Sequence, residues 1–131
     1  MLRFLRLRAL YFGSLSWQND RMLPYVLLSI AIVAEVIGTT ALKMSDGFTK
    51  LWPSVVVVVG YLGSFALLGI ALARGLSMSV GYAIWAGVGT ALIAVLGIFL
   101  FRETIAPWGF VGLGLIVAGV VLLELNSGHA A

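Results

Sequence analysis

Few residues in this chain could do chemistry, and what is missing is as informative as what is present. It has no Cys and one His, His129, which sits in the last three residues. Thiolate chemistry, disulfides, zinc sites and Ser-His-Asp catalysis therefore lack raw material. No metal, no cofactor and no enzymatic reaction is expected. The acids are Asp20, Glu35, Asp46, Glu103 and Glu124. Asp46 and Glu103 stand at polar breaks with Lys43, Lys50, Arg74 and Arg102, where charges are solvated or snorkel. Glu124 lies near the last turn of an apolar run and is expected to reach the interface. Glu35 differs, because Ile32-Val33-Ala34 precede it and Val36-Ile37 follow it.

A carboxylate in the middle of an apolar helix costs about 2.5–3.5 kcal/mol even on lenient membrane scales, and such residues are functional candidates. A protonated, hydrogen-bonded structural Glu is the plainer alternative, but an amide or hydroxyl does that work with less cost. A carboxylate that holds either a proton or a cation, and not both, is the core of an exchanger.

The elements that must position Glu35 follow from composition. The 131 residues are 62% hydrophobic and 10% charged, with mean hydropathy +1.13. Soluble domains are about 45–50% apolar and about 25% charged. A soluble enzyme, a nucleic-acid reader and a disordered tail are poor fits. Apolar runs cover about 23–42, 54–73, 80–100 and 106–125, each long enough as a helix to cross a bilayer. Pro53 and Pro107 stand where the second and fourth helices begin, a position that tolerates the missing N–H. The expected fold is an all-α membrane protein of four transmembrane helices in one domain, 22–126, followed by a tail at 127–131. The short loops leave function no place outside the bilayer.

Helical spacing puts Leu28, Ala31, Ile32, Gly38, Thr39 and Leu42 on the face of Glu35. Tyr82 and Trp85 are three apart on the third helix, with Ala86 and Gly89 continuing that side, and Tyr61 and Phe65 are four apart on the second. Packing or bilayer-facing aromatics are the bland reading. Aromatic faces beside a carboxylate also hold lipophilic and quaternary cations. Gly87 and Gly89 permit a hinge in the third helix, and close packing explains them equally well. Gly112, Leu115, Ile116 and Gly119 form a small-and-apolar stripe that reads as a helix–helix contact. One Glu and four helices make a thin wall for a pathway, so a homodimer with two Glu35 residues facing one cavity is the economical solution.

Residues 1–21 stand apart. Arg3, Arg6, Arg8 and Arg21 give four positive charges against Asp20, whereas cations and anions balance from Met22 onward. No basic patch remains for nucleic acid. A leader or upstream extension is favoured over a signal peptide, since no small-x-small cleavage site follows the apolar run. Counting Lys and Arg from Met22 gives three to one across the membrane, and including the N-terminal arginines gives five to three the other way. The sequence permits insertion in both directions.

Met22–Asn126 resembles the small multidrug resistance transporters of bacteria. The matching stretches are 34–40 (Ala-Glu-Val-Ile-Gly-Thr-Thr), 47–54 (Gly-Phe-Thr-Lys-Leu-Trp-Pro-Ser), 82–89 (Tyr-Ala-Ile-Trp-Ala-Gly-Val-Gly) and 112–120 (Gly-Leu-Gly-Leu-Ile-Val-Ala-Gly-Val). The resemblance implies a proton-coupled multidrug exporter of the inner membrane, an antiparallel homodimer whose protomers insert in opposite directions. It places proton and cation binding on Glu35, the substrate chamber on Leu28, Ala31, Ile32, Gly38, Thr39, Tyr61, Phe65, Tyr82 and Trp85, and dimer contacts on Gly112 and Gly119. Guanidinium-exporting relatives usually carry Trp three residues after the membrane Glu, where this chain has Gly38. That resembles the quaternary-ammonium branch. Loop two, Arg74–Ser79, lacks the proline often found there. Export of guanidinium or polyamines, and a non-transporting membrane assembly subunit, are the competing readings.

Overall fold

A computed structural model describes the backbone of residues 2–127 and the side chains of residues 21–127. Its four helices are α1 (Leu2–Met44), α2 (Leu51–Ala73), α3 (Met78–Phe101) and α4 (Pro107–Ser127), with no strand among the described residues. All four are long and apolar enough to cross a membrane: Arg21–Met44, Leu51–Ala73, Met78–Phe101 and Pro107–Ser127. At about 1.5 Å per residue each covers the roughly 30 Å of hydrocarbon.

The helix borders extend slightly beyond the apolar runs. Leu51 and Trp52 belong to α2, so Pro53 lies inside its first turn rather than ahead of it. That turn has no use for the proline's missing N–H. The backbone is helical straight through the border placed at Met22, with Pro24 inside α1. The side chains of Arg3, Arg6 and Arg8, and the tail with His129, lie outside the described residues.

The first loop is built on left-handed backbone. Asp46, Gly47 and Phe48 have φ of 52°, 66° and 67°. Fully buried Ser45 holds this turn, donating from Oγ to Leu42 O (2.7 Å) and accepting from Phe48 N (3.2 Å). Lys43 pairs with Glu103, tying the end of α1 to the α3–α4 loop. Expected as separate solvated charges, the two form a bridge, and Gly97 leaves the room: a Cβ there would lie 2.5 Å from Glu103 Oε2.

Helix α1 is the centre of the protomer. It packs most extensively on α2, then on α3, whereas the backbone of α4 approaches α3 alone. The core comprises Leu28, Ala31, Ile32 and Val36 of α1, Leu68 and Ala71 of α2, and Leu76, Val80 and Trp85 beyond them. Lipid is as apolar as leucine, so close van der Waals fit rather than water exclusion drives this association. The tightest approach joins α1 and α2 at Gly38 and Gly60. A Cβ on Gly60 would meet Ala34 O at 2.9 Å and Gly38 Cα at 3.0 Å, both backbone atoms that cannot step aside.

Gly60→Ala should therefore push α1 and α2 apart and cost about 1–3 kcal/mol, the usual range for overpacking. Gly63→Ala, which meets nothing within 4 Å, should hold or raise stability by up to about 1 kcal/mol through helix propensity. Unfolding midpoints in detergent measure both, and equal behaviour of the two variants would refute the crossing.

Candidate functional site

Glu35 lies near the middle of the Arg21–Met44 span of α1, half-buried, on the side that faces α3. Its Oε1 accepts a hydrogen bond from Thr39 Oγ1 (3.1 Å), one turn further along the same helix. Thr39 Oγ1 also lies 2.7 Å from the Tyr61 hydroxyl of α2. Because the single threonine proton points to the carboxylate, Tyr61 donates to Thr39, and a chain runs Tyr61 to Thr39 to Glu35. The Gly38–Gly60 approach brings α2 near enough to supply Tyr61. The other carboxylate oxygen, Oε2, lies toward α3, where a Cβ on Gly89 would come within 3.0 Å of it. The bareness of Gly89 is what lets the carboxylate sit against α3.

Beside Glu35 opens a cavity of about 200 Å³, lined by Tyr82, Trp85, Ala86, Gly89, Thr90 and Ile93. Trp85 stands edge-on to both Phe65 (ring centroids 5.0 Å apart) and Tyr82 (5.5 Å). Trp85 is 8% exposed, whereas Tyr82 and Phe65 are 53% and 57% exposed. One wall of the aromatic group is thus fixed in the core and the other left open. The buried Trp85 Nε1 has no protein partner. Drug-sized ligands usually occupy pockets of about 300–1,000 Å³ that enclose most of their surface. The cavity here is smaller and open, with a carboxylate at its edge and no cationic side chain lining it.

The face inferred from spacing divides in two. Glu35, Tyr82, Trp85 and Gly89 line the cavity, and Thr39, Tyr61 and Phe65 back them through the hydrogen-bond chain and the ring contact. Leu28, Ala31 and Ile32 instead lie in the protomer core, and Gly38 packs against Gly60 and Tyr61. A helical face says which side chains point together, not which neighbour they meet, and α1 has neighbours on two sides. Gly87 has a packing partner, since a Cβ there would lie 2.5 Å from Val120 Cγ2 of α4, and α3 runs unbroken through both candidate hinge glycines.

Gly112 and Gly119 have nothing of the protomer within 4 Å of an added Cβ, so their side of α4 is unoccupied within the protomer. No residue of α4 is buried. Sequence reasoning missed Gly60 and Thr90. A lone glycine after a run of five valines was the available signal for the first. The second continues the Tyr82–Trp85–Gly89 side of α3. Glu124, expected at the interface, accepts a hydrogen bond from Tyr25 on Oε1 (2.9 Å) while its Oε2 is buried without a partner.

The family model described as Small Multidrug Resistance protein matches residues 23–116, well over half of the chain. Multidrug resistance protein EbrB of Bacillus subtilis is 50% identical over 103 residues, covering 79% of this chain and 87% of that protein. Quaternary ammonium compound-resistance protein QacE of Escherichia coli is 47% identical over 110 residues, 84% of this chain and 99% of its own. Multidrug resistance protein mmr of Mycolicibacterium paratuberculosis is 45% identical over 107 residues, 82% of this chain and all of its own length. The match covers Glu35, its hydrogen-bond chain and the aromatic wall together, and this chain belongs to the small multidrug resistance family.

Proposed function

We propose that this protein is a proton-coupled efflux antiporter of the bacterial inner membrane that exchanges protons for lipophilic and quaternary ammonium cations at Glu35. The observation that carries the reading is a carboxylate at the mouth of an open, aromatic-walled cavity, with hydroxyl partners and no basic one. Deprotonated, such a group calls for a cation. A lipophilic cation supplies the charge and buries its apolar surface on Trp85, Tyr82 and Phe65, whose ring faces add about 0.5–2 kcal/mol each when desolvated. Protonated, the carboxyl needs no cation, and the drug is released.

Exclusive occupancy converts binding into exchange, because an empty, charged site is costly to move through lipid. Two protomers in opposite orientations complete the chamber, with both Glu35 carboxyls facing it. Gly112 and Gly119 of α4 provide the surface where the protomers approach closely. Bending of α3 at Gly87 and Gly89 switches access from one side of the membrane to the other. Gly38, which packs against Gly60 and Tyr61 where guanidinium exporters usually carry Trp, supports the quaternary-ammonium branch over guanidinium export.

Equilibrium binding of radiolabelled tetraphenylphosphonium to purified protein tests the site. Glu35→Gln should abolish binding, and Trp85→Ala should weaken it about tenfold, the loss of one good cation–π contact. Glu35→Asp should retain binding and shift its working range to lower pH, because aspartate is intrinsically the stronger acid. Unchanged binding by Glu35→Gln would refute the assignment.

The assembly has its own test. Tags at either terminus should report both sides of the membrane, and Gly112→Leu or Gly119→Leu should reduce crosslinked dimer while leaving insertion intact. A single orientation, or full dimer recovery in both variants, would contradict an antiparallel dimer packed through α4.

A further inference from the structure

We propose that the end of the bundle opposite the Lys43–Glu103 bridge is a binding site for a phosphate group, presented by the headgroup of a membrane phospholipid. There the start of the α1 span, the α2–α3 loop and the end of α4 enclose a second cavity, of about 220 Å³. Its polar lining is Arg21, Arg74, Ser77, Ser127 and Tyr25, whose hydroxyl is committed to Glu124. Arg21 at the start of the α1 span and Arg74 in the α2–α3 loop bring two positive charges to one cavity, and guanidinium forks match phosphate oxygens in geometry as well as charge.

Neither arginine has a carboxylate partner among the described residues, where the one ion pair is Lys43–Glu103 at the other end. Among the described side chains, from residue 21 on, the carboxylate at this end is Glu124, which does not line the cavity and is engaged through Oε1 by Tyr25.

The loop that carries Arg74 is preformed. Arg74 N donates to Ile70 O (3.0 Å) and Leu76 N to Ala71 O (3.3 Å), around Gly75 at φ +99°. Leu76 is buried beneath it, against the notch left by Gly81. Arg74 is therefore held on a fixed turn.

The position selects the source of the phosphate. All four helices span the hydrocarbon, so this end lies at the depth of the headgroups. The lining also includes Leu76 and Val80, apolar walls that a free ion would not use and that the glycerol and upper acyl carbons of a lipid would cover. The other large cavity, of about 510 Å³ between α1, α2 and α3, has no charged residue in its lining and offers nothing to an anion.

Native mass spectrometry of the full chain, titrated in detergent with phosphatidylglycerol, reads the site. Arg21→Gln and Arg74→Gln should each weaken lipid retention about fivefold, and together about 25-fold, at about one charge-equivalent of surface attraction per arginine. Lys50→Gln, at the opposite end, should leave it unchanged. Retention by the double variant equal to wild type would overturn the proposal. So would displacement of the lipid by equimolar inorganic phosphate, which would make this a site for the free anion. If the double variant does not fold, a phosphatidylglycerol photoprobe on the wild-type protein decides. Crosslinks at 21–25 and 74–80 are expected, and crosslinks confined to 43–54 would refute the site.

Discussion

A carboxyl group held among hydrocarbon must have partners, and the rest of this structure is arranged around supplying some of them and withholding others. Glu35 takes one hydrogen bond from Thr39, which takes one from Tyr61. That chain exists because α1 and α2 touch at Gly38 and Gly60, with no Cβ between them. On the other side, Gly89 lets the carboxylate rest against α3. Each support is a neutral donor or an empty space. A lysine or arginine in the same place would pair with Glu35 and leave it closed to any other cation.

The packing is graded in the same sense. Helix α1 is held on two sides, whereas the backbone of α4 approaches α3 alone, its one hydrogen bond to α1 being Tyr25–Glu124, and none of its residues is buried. Close association in lipid depends on small residues at the contact, and Gly112 and Gly119 of α4 lie where nothing in the chain comes within 4 Å of an added Cβ. The protomer thus has a firm core around the carboxylate and an uncommitted outer helix. The aromatic wall follows the same division, with Trp85 fixed in the core and Tyr82 and Phe65 open.

Much of this was legible in the residues. Run length and composition decided the four spans, because a bilayer demands about 20 apolar residues per helix whatever their order. Glu35 stood out because charge is so costly in that setting. The aromatic pair on α3 could be read from its spacing. What could not be read was the identity of neighbours. Leu28, Ala31 and Ile32 share the Glu35 face by periodicity yet pack into the protomer core. Gly60 and Gly97 matter only because of what faces them, a backbone in one case and Glu103 in the other. The Lys43–Glu103 bridge joins residues far apart in sequence, and nothing local distinguishes it from two solvated charges.

The central claim is that one carboxyl group serves proton and drug in turn. Proton release on adding tetraphenylphosphonium to the purified, weakly buffered protein measures it directly across pH. The account predicts release at pH values where Glu35 is protonated, falling to nothing as rising pH empties the site beforehand. Binding of the cation with no proton released at any pH would contradict it.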